Sequence, residues 1–274
     1  LKDIITSAFV LQFIKAQLPH AAITWITSDE GKPLLEDCRD LDELKTLPIT
    51  FFSPLSLLFG RNKKRVRALG NYDTVIDMQG SLHSALIARL LGGNTFGFDR
   101  LSTGSRLISL WYKTRYYLPP QMMACDRYRL LCAKALDIEI TKKQLFAKKP
   151  ITAAGKTPAM FKSKRSKAVF IIGGTPANVR YGTQNFMTLA RGLDMDIFIP
   201  YRSDEEYNIA VYLQESTDNC RVLPRLGLQE LKSVIAKADL VVGNDCVYSY
   251  LGWAANRPTV IIYGPTPANR VYDS

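Results

Sequence analysis

Asp245 closes the apolar run ADLVVGND and stands before a helical stretch. Its carboxylate can cap the free N–H groups of that helix or meet a ligand at the carboxyl end of a strand. Gly173-Gly174-Thr175 follows the run AVFII in the same way. Small residues there let an anionic group approach backbone N–H groups, Thr175 adds a hydroxyl donor, and Arg180 offers a bidentate contact. An ordinary tight turn accounts for the same residues. Neither the GxGxxG of a dinucleotide site nor the GxxxxGK[ST] of a phosphate-binding loop is present.

The histidines are His20 and His83. His83 comes just after Asp77-Met78-Gln79-Gly80 at the end of an expected strand, where it either faces a ligand or serves as a hydrogen-bonded structural residue. No Ser/His/Asp arrangement is legible. The five cysteines are scattered, with no CxxC pair, so neither a structural zinc nor a disulfide framework is expected, and a reducing compartment is. Two stretches join apolar bodies to basic heads: Phe51 to Arg67, and Leu107 to Leu118 with Trp111, Tyr112, Lys113, Arg115, Tyr116 and Tyr117. Such surfaces rest on anionic headgroups, each basic residue near the membrane contributing about 1 kcal/mol. The alternative is a core helix with a solvated basic face. No nucleic-acid-binding motif is present, and no nucleic-acid partner is expected.

The elements that must position these residues alternate. An apolar stripe at helical spacing runs over 4–18 and stops before Pro19, and a strand is expected over 22–26. A strand over 74–77 and a helix over 84–91 follow. The second half gives strands over 168–172, 196–200, 221–223, 240–242 and 259–263, with helices over 184–191, 204–215, 228–236 and 247–255 between them. Strands alternating with helices imply parallel sheets, and the fold class is α/β. The segment from Thr141 to Lys167 is rich in lysine and has no acidic residue, so it reads as a linker or lobe-crossing loop that buries little. The expected division is residues 1–150, a basic linker over 151–166, and residues 167–274. The opening helix lacks a preceding strand and the last strand a closing helix, so each lobe is expected to be incomplete at its end.

With 274 residues, a net charge of +11, 47% hydrophobic and 22% charged residues, the composition is that of an ordinary globular chain of one large or two medium domains, which excludes disorder over most of its length. The longest apolar run, Phe51 to Phe59, falls well short of the roughly 18 residues that cross a bilayer and carries a proline. No internal repeat is found.

Six segments together, in order, resemble the bacterial lipopolysaccharide core heptosyltransferases, most of all the heptosyltransferase I members. They are LKDIITSAFVLQFI, YDTVIDMQGSLHSALIARLL, FGFDRLSTGSRLISLWY, IPYRSDEEYNIA, RVLPRLGLQELKSVIAKADLVVGND and RPTVIIYGPTPANR. The resemblance implies a GT-B fold, two Rossmann-like lobes with parallel sheets around a central cleft, with acceptor binding in the first lobe and nucleotide-sugar binding in the second. It also implies an inverting transfer of L-glycero-D-manno-heptose from ADP-heptose to the Kdo of Kdo-lipid A, without metal or other cofactor. The setting it implies is cytoplasmic, peripheral on the inner membrane and its anionic surface.

By resemblance, Asp3 matches the general base, Thr175 the phosphate-binding threonine beside Gly174, and Glu206 a nucleoside-binding glutamate. Leu226 falls beside the adenine. The family lysine falls on Val179, which leaves Arg180 as its substitute, and His83 and Arg106 are the acceptor-side candidates. The D-[ST]-G-x-x-H motif falls on Asp245-Cys246-Val247-Tyr248-Ser249-Tyr250, of which the Asp alone is kept. Val247 replaces the glycine that lets a donor approach the backbone, and Tyr250 can hydrogen-bond without carrying imidazolium charge. Lys2 stands where the family has a glycine, and His83 where heptosyltransferase I has a lysine. The alternatives are a transferase adding a later heptose or another sugar, and a catalytically silent nucleotide-sugar or glycolipid binder. A dinucleotide oxidoreductase is a poorer third reading.

Overall fold

The structure, a computed structural model, describes residues 1–48, 56–57, 61–151, 155–174 and 180–264. The chain forms two compact units. The N-terminal unit holds Thr6–Glu36 and Asp40–Lys148, and the C-terminal unit holds the described residues from Lys149 to Gly264 together with Leu1–Ile5 and Asp37–Arg39.

The apolar stripe at the start folds as two consecutive helices, α1 (Lys2–Ala8) and α2 (Val10–Gln17), with Phe9 between them still in a helical conformation. The chain leaves the C-terminal unit for the N-terminal one within α1, after Ile5. The N-terminal unit continues through β1 (Thr24–Thr27), α3 (Lys32–Leu35), β2 (Glu43–Thr46), α4 (Arg61–Arg67), β3 (Thr74–Ile76), α5 (Leu82–Leu90), β4 (Asn94–Phe98), α6 (Arg100–Thr103), α7 (Arg106–Ser109), β5 (Thr114–Tyr116), α8 (Ala124–Leu136) and α9 (Lys142–Phe146). β1 and β2 form a parallel pair, and β3, β4 and β5 a parallel three-stranded sheet in that order. The stretch from Leu107 to Leu118 is therefore not one amphipathic helix. Its single helical turn ends at Ser109, Tyr112 turns inward at 3% exposure, and the β-prone residues that follow pair with β4.

The C-terminal unit alternates throughout: β6 (Lys167–Ile171), α10 (Thr183–Gly192), β7 (Asp196–Ile199), α11 (Asp204–Ser216), β8 (Cys220–Val222), α12 (Leu228–Ala236), β9 (Leu240–Asn244), α13 (Val247–Ala254) and β10 (Thr259–Ile262). Its five strands are parallel in the order β10-β9-β6-β7-β8. This is the Rossmann order, with its reversal between β6 and β9. Phe170, Phe186, Ile197, Ile199 and Leu213 form its core, which the near-continuous apolar runs of β6 and β7 dictate, since strands of a parallel sheet are covered on both faces.

The basic segment before β6 buries more than its composition implies. Ile151 N donates to Ala254 O at 2.8 Å, Gly155 N donates to Ser233 Oγ at 2.9 Å, and Phe161 stacks edge-on against Phe198 with ring centroids 4.6 Å apart. Two apolar anchors, Ile151 and Phe161, hold it on the C-terminal unit while Lys156, Lys162 and Lys164 stay in solvent. All five cysteines are buried free thiols. Among the described residues no helix is long and apolar enough to cross a membrane.

Candidate active site

The strand order makes β6 and β9 neighbours, with Ile171 opposite Gly243, so the loops that leave their carboxyl ends meet. Gly174 adopts φ +84°, the left-handed region that favours glycine, and a Cβ there would stand 2.7 Å from Cys246 Sγ. A Cβ on Gly173 would fall 1.8 Å from Glu206 Oε1. Glycine is thus required twice, by a close approach on each side.

Glu206, in the first turn of α11, is nearly buried, and both its oxygens hold loops: Oε1 accepts from Gly174 N at 3.1 Å and Oε2 from Arg202 N at 2.7 Å. The carboxylate therefore ties the loop after β6 to the loop after β7. Gly173, Gly174, Arg202, Glu206, Leu226 and Tyr248 line one concavity, and the Arg202 guanidinium lies 4.7 Å from the centre of the Tyr248 ring. Burial pushes the Tyr248 hydroxyl above its usual range, so it stays protonated.

The second loop belongs to Asp245. Its carboxylate does not cap α13; the cap position is Cys246, which makes no side-chain capping bond. Asp245 instead accepts from Lys2 Nζ at 2.9 and 3.0 Å and from the Tyr250 hydroxyl at 2.8 Å, and Tyr250 lies 3.2 Å from the Tyr263 hydroxyl. Burial raises the Tyr250 hydroxyl far above its ordinary value and raises the Cys246 thiol as well, so neither ionises near neutrality. Val247 opens α13, half-buried, where a glycine would leave the helix N-terminus bare.

Of the residues singled out in the sequence, Gly174, Glu206, Leu226 and Tyr248 line that concavity, and Cys246 packs against Gly174. Arg180 is engaged elsewhere, donating to Glu205 at 2.8 Å. Thr175, like Val179, lies outside the described residues. Asp3 is exposed in the first turn of α1, one residue from the Lys2–Asp245 pair. In the N-terminal unit His83 is half-buried in the first turn of α5, behind the turn where Gln79 N and Gly80 N donate to Asp77, and Arg106 is exposed at the start of α7.

Sequence reasoning missed Asn244 and Arg202. Asn244, 1% exposed, donates to Ile172 O at 2.7 Å and accepts from Tyr181 N at 2.9 Å, which pins both ends of the glycine loop. Its place as the last residue of β9 was the available signal. Among the described residues no group of three or more His, Cys, Asp or Glu gathers as metal ligands do.

A family model described as glycosyltransferase family 9 (heptosyltransferase) matches residues 60–272. The chain belongs to this family. Lipopolysaccharide heptosyltransferase 1 of Campylobacter coli is 28% identical to it, over 98% of this chain and 83% of that protein. Lipopolysaccharide heptosyltransferase 1 of Escherichia coli strain K12 is 32% identical over 72% of this chain and 62% of the relative. Among solved structures, the E. coli heptosyltransferase WaaC with ADP-2-deoxy-2-fluoro heptose superposes with a TM-score of 0.79 at 24% identity, covering 98% of this chain and 89% of WaaC. The family 9 chain thus has the GT-B fold, and it is a glycosyltransferase.

Proposed function

We propose that this family 9 enzyme moves L-glycero-D-manno-heptose from ADP-heptose to the Kdo of Kdo-lipid A, in assembly of the lipopolysaccharide inner core. The observation that carries the reading is the switch point of the C-terminal sheet, where the glycine loop, Glu206, Leu226 and the N-terminus of α13 converge on one place. Ligands of open parallel sheets bind there, and a helix N-terminus favours a diphosphate. The relatives named lipopolysaccharide heptosyltransferase 1 and the ADP-sugar in the WaaC structure support the choice of donor and acceptor.

In this reading the diphosphate sits over Gly174 and the start of α13, Leu226 and Tyr248 flank the base, and Glu206 turns its remaining lone pairs to the ribose hydroxyls. Asp3 takes the proton of the acceptor hydroxyl as that oxygen attacks the anomeric carbon. The bond from that carbon to the phosphate oxygen breaks on the opposite face, the electron pair leaves with ADP, and the configuration inverts. Arg180 reaches the diphosphate by exchanging Glu205 for it. His83 and Arg106 serve the acceptor side.

The acceptor is anchored by acyl chains, so the enzyme works at the cytoplasmic face of the inner membrane as a peripheral protein. Support comes from the N-terminal unit, where Lys63, Arg67 and Arg89 surround one concavity with Trp111, and where Leu107 and Leu110 are 66% and 60% exposed. Lysine, arginine and tryptophan beside exposed leucines suit an anionic headgroup layer.

The test is ADP release with ADP-heptose and Kdo-lipid A, with Asp3→Asn in parallel. Acceptor-dependent release that falls about 100-fold or more in the variant, with ADP binding retained, is the expected result. Release without a dependence on Asp3 removes the mechanism. Tight binding of ADP-heptose without turnover selects a silent binder, the reading that Val247 and Tyr250 favour. Turnover with another sugar or a later-core acceptor selects a related transferase.

A further inference from the structure

The amides at the start of α13 favour an anion, and Asp245, one residue before the cap of α13, already brings a carboxylate to that region. Left alone, it repels a diphosphate aimed at the same amides. It is not alone: Lys2 Nζ lies within 3.0 Å of both its oxygens, from a segment 243 residues away. The Asp245 side chain is 9% exposed, whereas that of Lys2 remains 39% exposed, so the carboxylate is the covered partner of the pair and the lysine the more accessible one. Tyr250, fully buried, fixes the carboxylate from beneath and presents its ring 5.8 Å from the ammonium.

We propose that Lys2 is the donor-site cation of this enzyme: it neutralises Asp245 at the mouth of α13 and extends its ammonium to the diphosphate of the nucleotide sugar. The inference rests on the donor reading given above. Tyr250 holds the carboxylate without adding charge, and Lys2 brings a charge to the same carboxylate. Negative charge grows on the departing diphosphate, so a cation fixed there acts on turnover as well as on binding. Lys2 also directly precedes Asp3, so the same ion pair anchors the backbone that bears the general base.

The experiment compares the parent chain with Lys2→Met, Lys2→Arg and the double variant Lys2→Met/Asp245→Asn. ADP affinity is read by calorimetry, kcat and KM for the donor by ADP release, and folding by circular dichroism. Lys2→Met is expected to weaken ADP binding about tenfold and to lower kcat by at least as much. Lys2→Arg is expected to stay within about threefold of the parent, because the charge is kept. The double variant is expected to regain most of the lost ADP affinity, because its Asn no longer repels the diphosphate, a recovery that a purely structural ion pair does not produce. The proposal is overturned if Lys2→Met binds ADP and turns over like the parent, or if the double variant binds no better than Lys2→Met. A parent that binds no ADP removes the donor reading itself, a result distinct from both.

Discussion

Asp77 and Asp245 each stand directly after a strand, Asp77 after β3 at the end of its three-stranded sheet and Asp245 after β9 inside the five-stranded one. Each precedes a helix, and each accepts from a tyrosine hydroxyl, Tyr112 at 2.6 Å and Tyr250 at 2.8 Å. Their other partners separate them. Asp77 is tied by its own turn, accepting from Gln79 N at 2.9 Å and Gly80 N at 3.1 Å, and burial holds its carboxyl above the ordinary value despite those bonds. Asp245 is tied by an ammonium from the far end of the chain. An aspartate whose loop closes on itself shapes that loop, whereas one that recruits a distant cation arranges charge for something that has yet to arrive.

Alanine at the two positions gives the sharpest break. Asp245→Ala is expected to lower kcat/KM about 100-fold, because Lys2 and the adjoining Asp3 lose their anchor, at a stability cost of about 1–2 kcal/mol, since the Tyr250 hydroxyl keeps Tyr263 as a partner. Asp77→Ala is expected to cost about 3 kcal/mol in urea unfolding, by leaving two turn amides and a buried hydroxyl without their acceptor, while ADP affinity in calorimetry is unchanged. Equal losses of stability at both sites would end the distinction.

Removing only the tyrosine oxygen refines it. Tyr112→Phe is expected to cost about 1–2 kcal/mol of stability, and Tyr250→Phe to appear chiefly as an approximately fivefold loss of kcat/KM, read from the same unfolding and ADP-release assays.

The smallest effect is in pH. Between the ordinary carboxylate value of 3.8 and the raised folded value of Asp77, the native chain holds a proton that the unfolded chain has lost. Stability therefore declines as pH rises through that window. Asp77→Asn is expected to flatten that contribution in thermal midpoints recorded from about pH 4 to pH 7, and an unchanged slope would show that Asp77 titrates alike in both states.

The C-terminal unit was the more legible of the two. Runs such as AVFII and LVVGN are buried on both faces, and turn residues or helical stretches bound them, so pattern and burial agree. In the N-terminal unit β2, β4 and β5 mix polar with apolar residues, so ELKT, NTFGF and TRY carry neither a continuous apolar run nor a periodicity long enough to count. The same limit applies to the site. Gly174 and Asp245 were findable because each follows a strand at its carboxyl end, and Glu206 came through the family resemblance alone, but the actual partners of all three were not legible. That Glu206 braces two loops, that Arg180 turns to Glu205, and that Lys2 reaches Asp245 depend on side-chain reach across the fold, which local spacing does not record.

The buried cysteines have a practical side. Burial pushes the Cys132 thiol up to about 12 and raises Cys220 and Cys246 too, so a maleimide meets little thiolate on the native chain. A single cysteine placed at Leu107, which is 66% exposed, offers one fast-reacting handle, and a fluorophore can be attached there without first stripping the enzyme of its own sulfur.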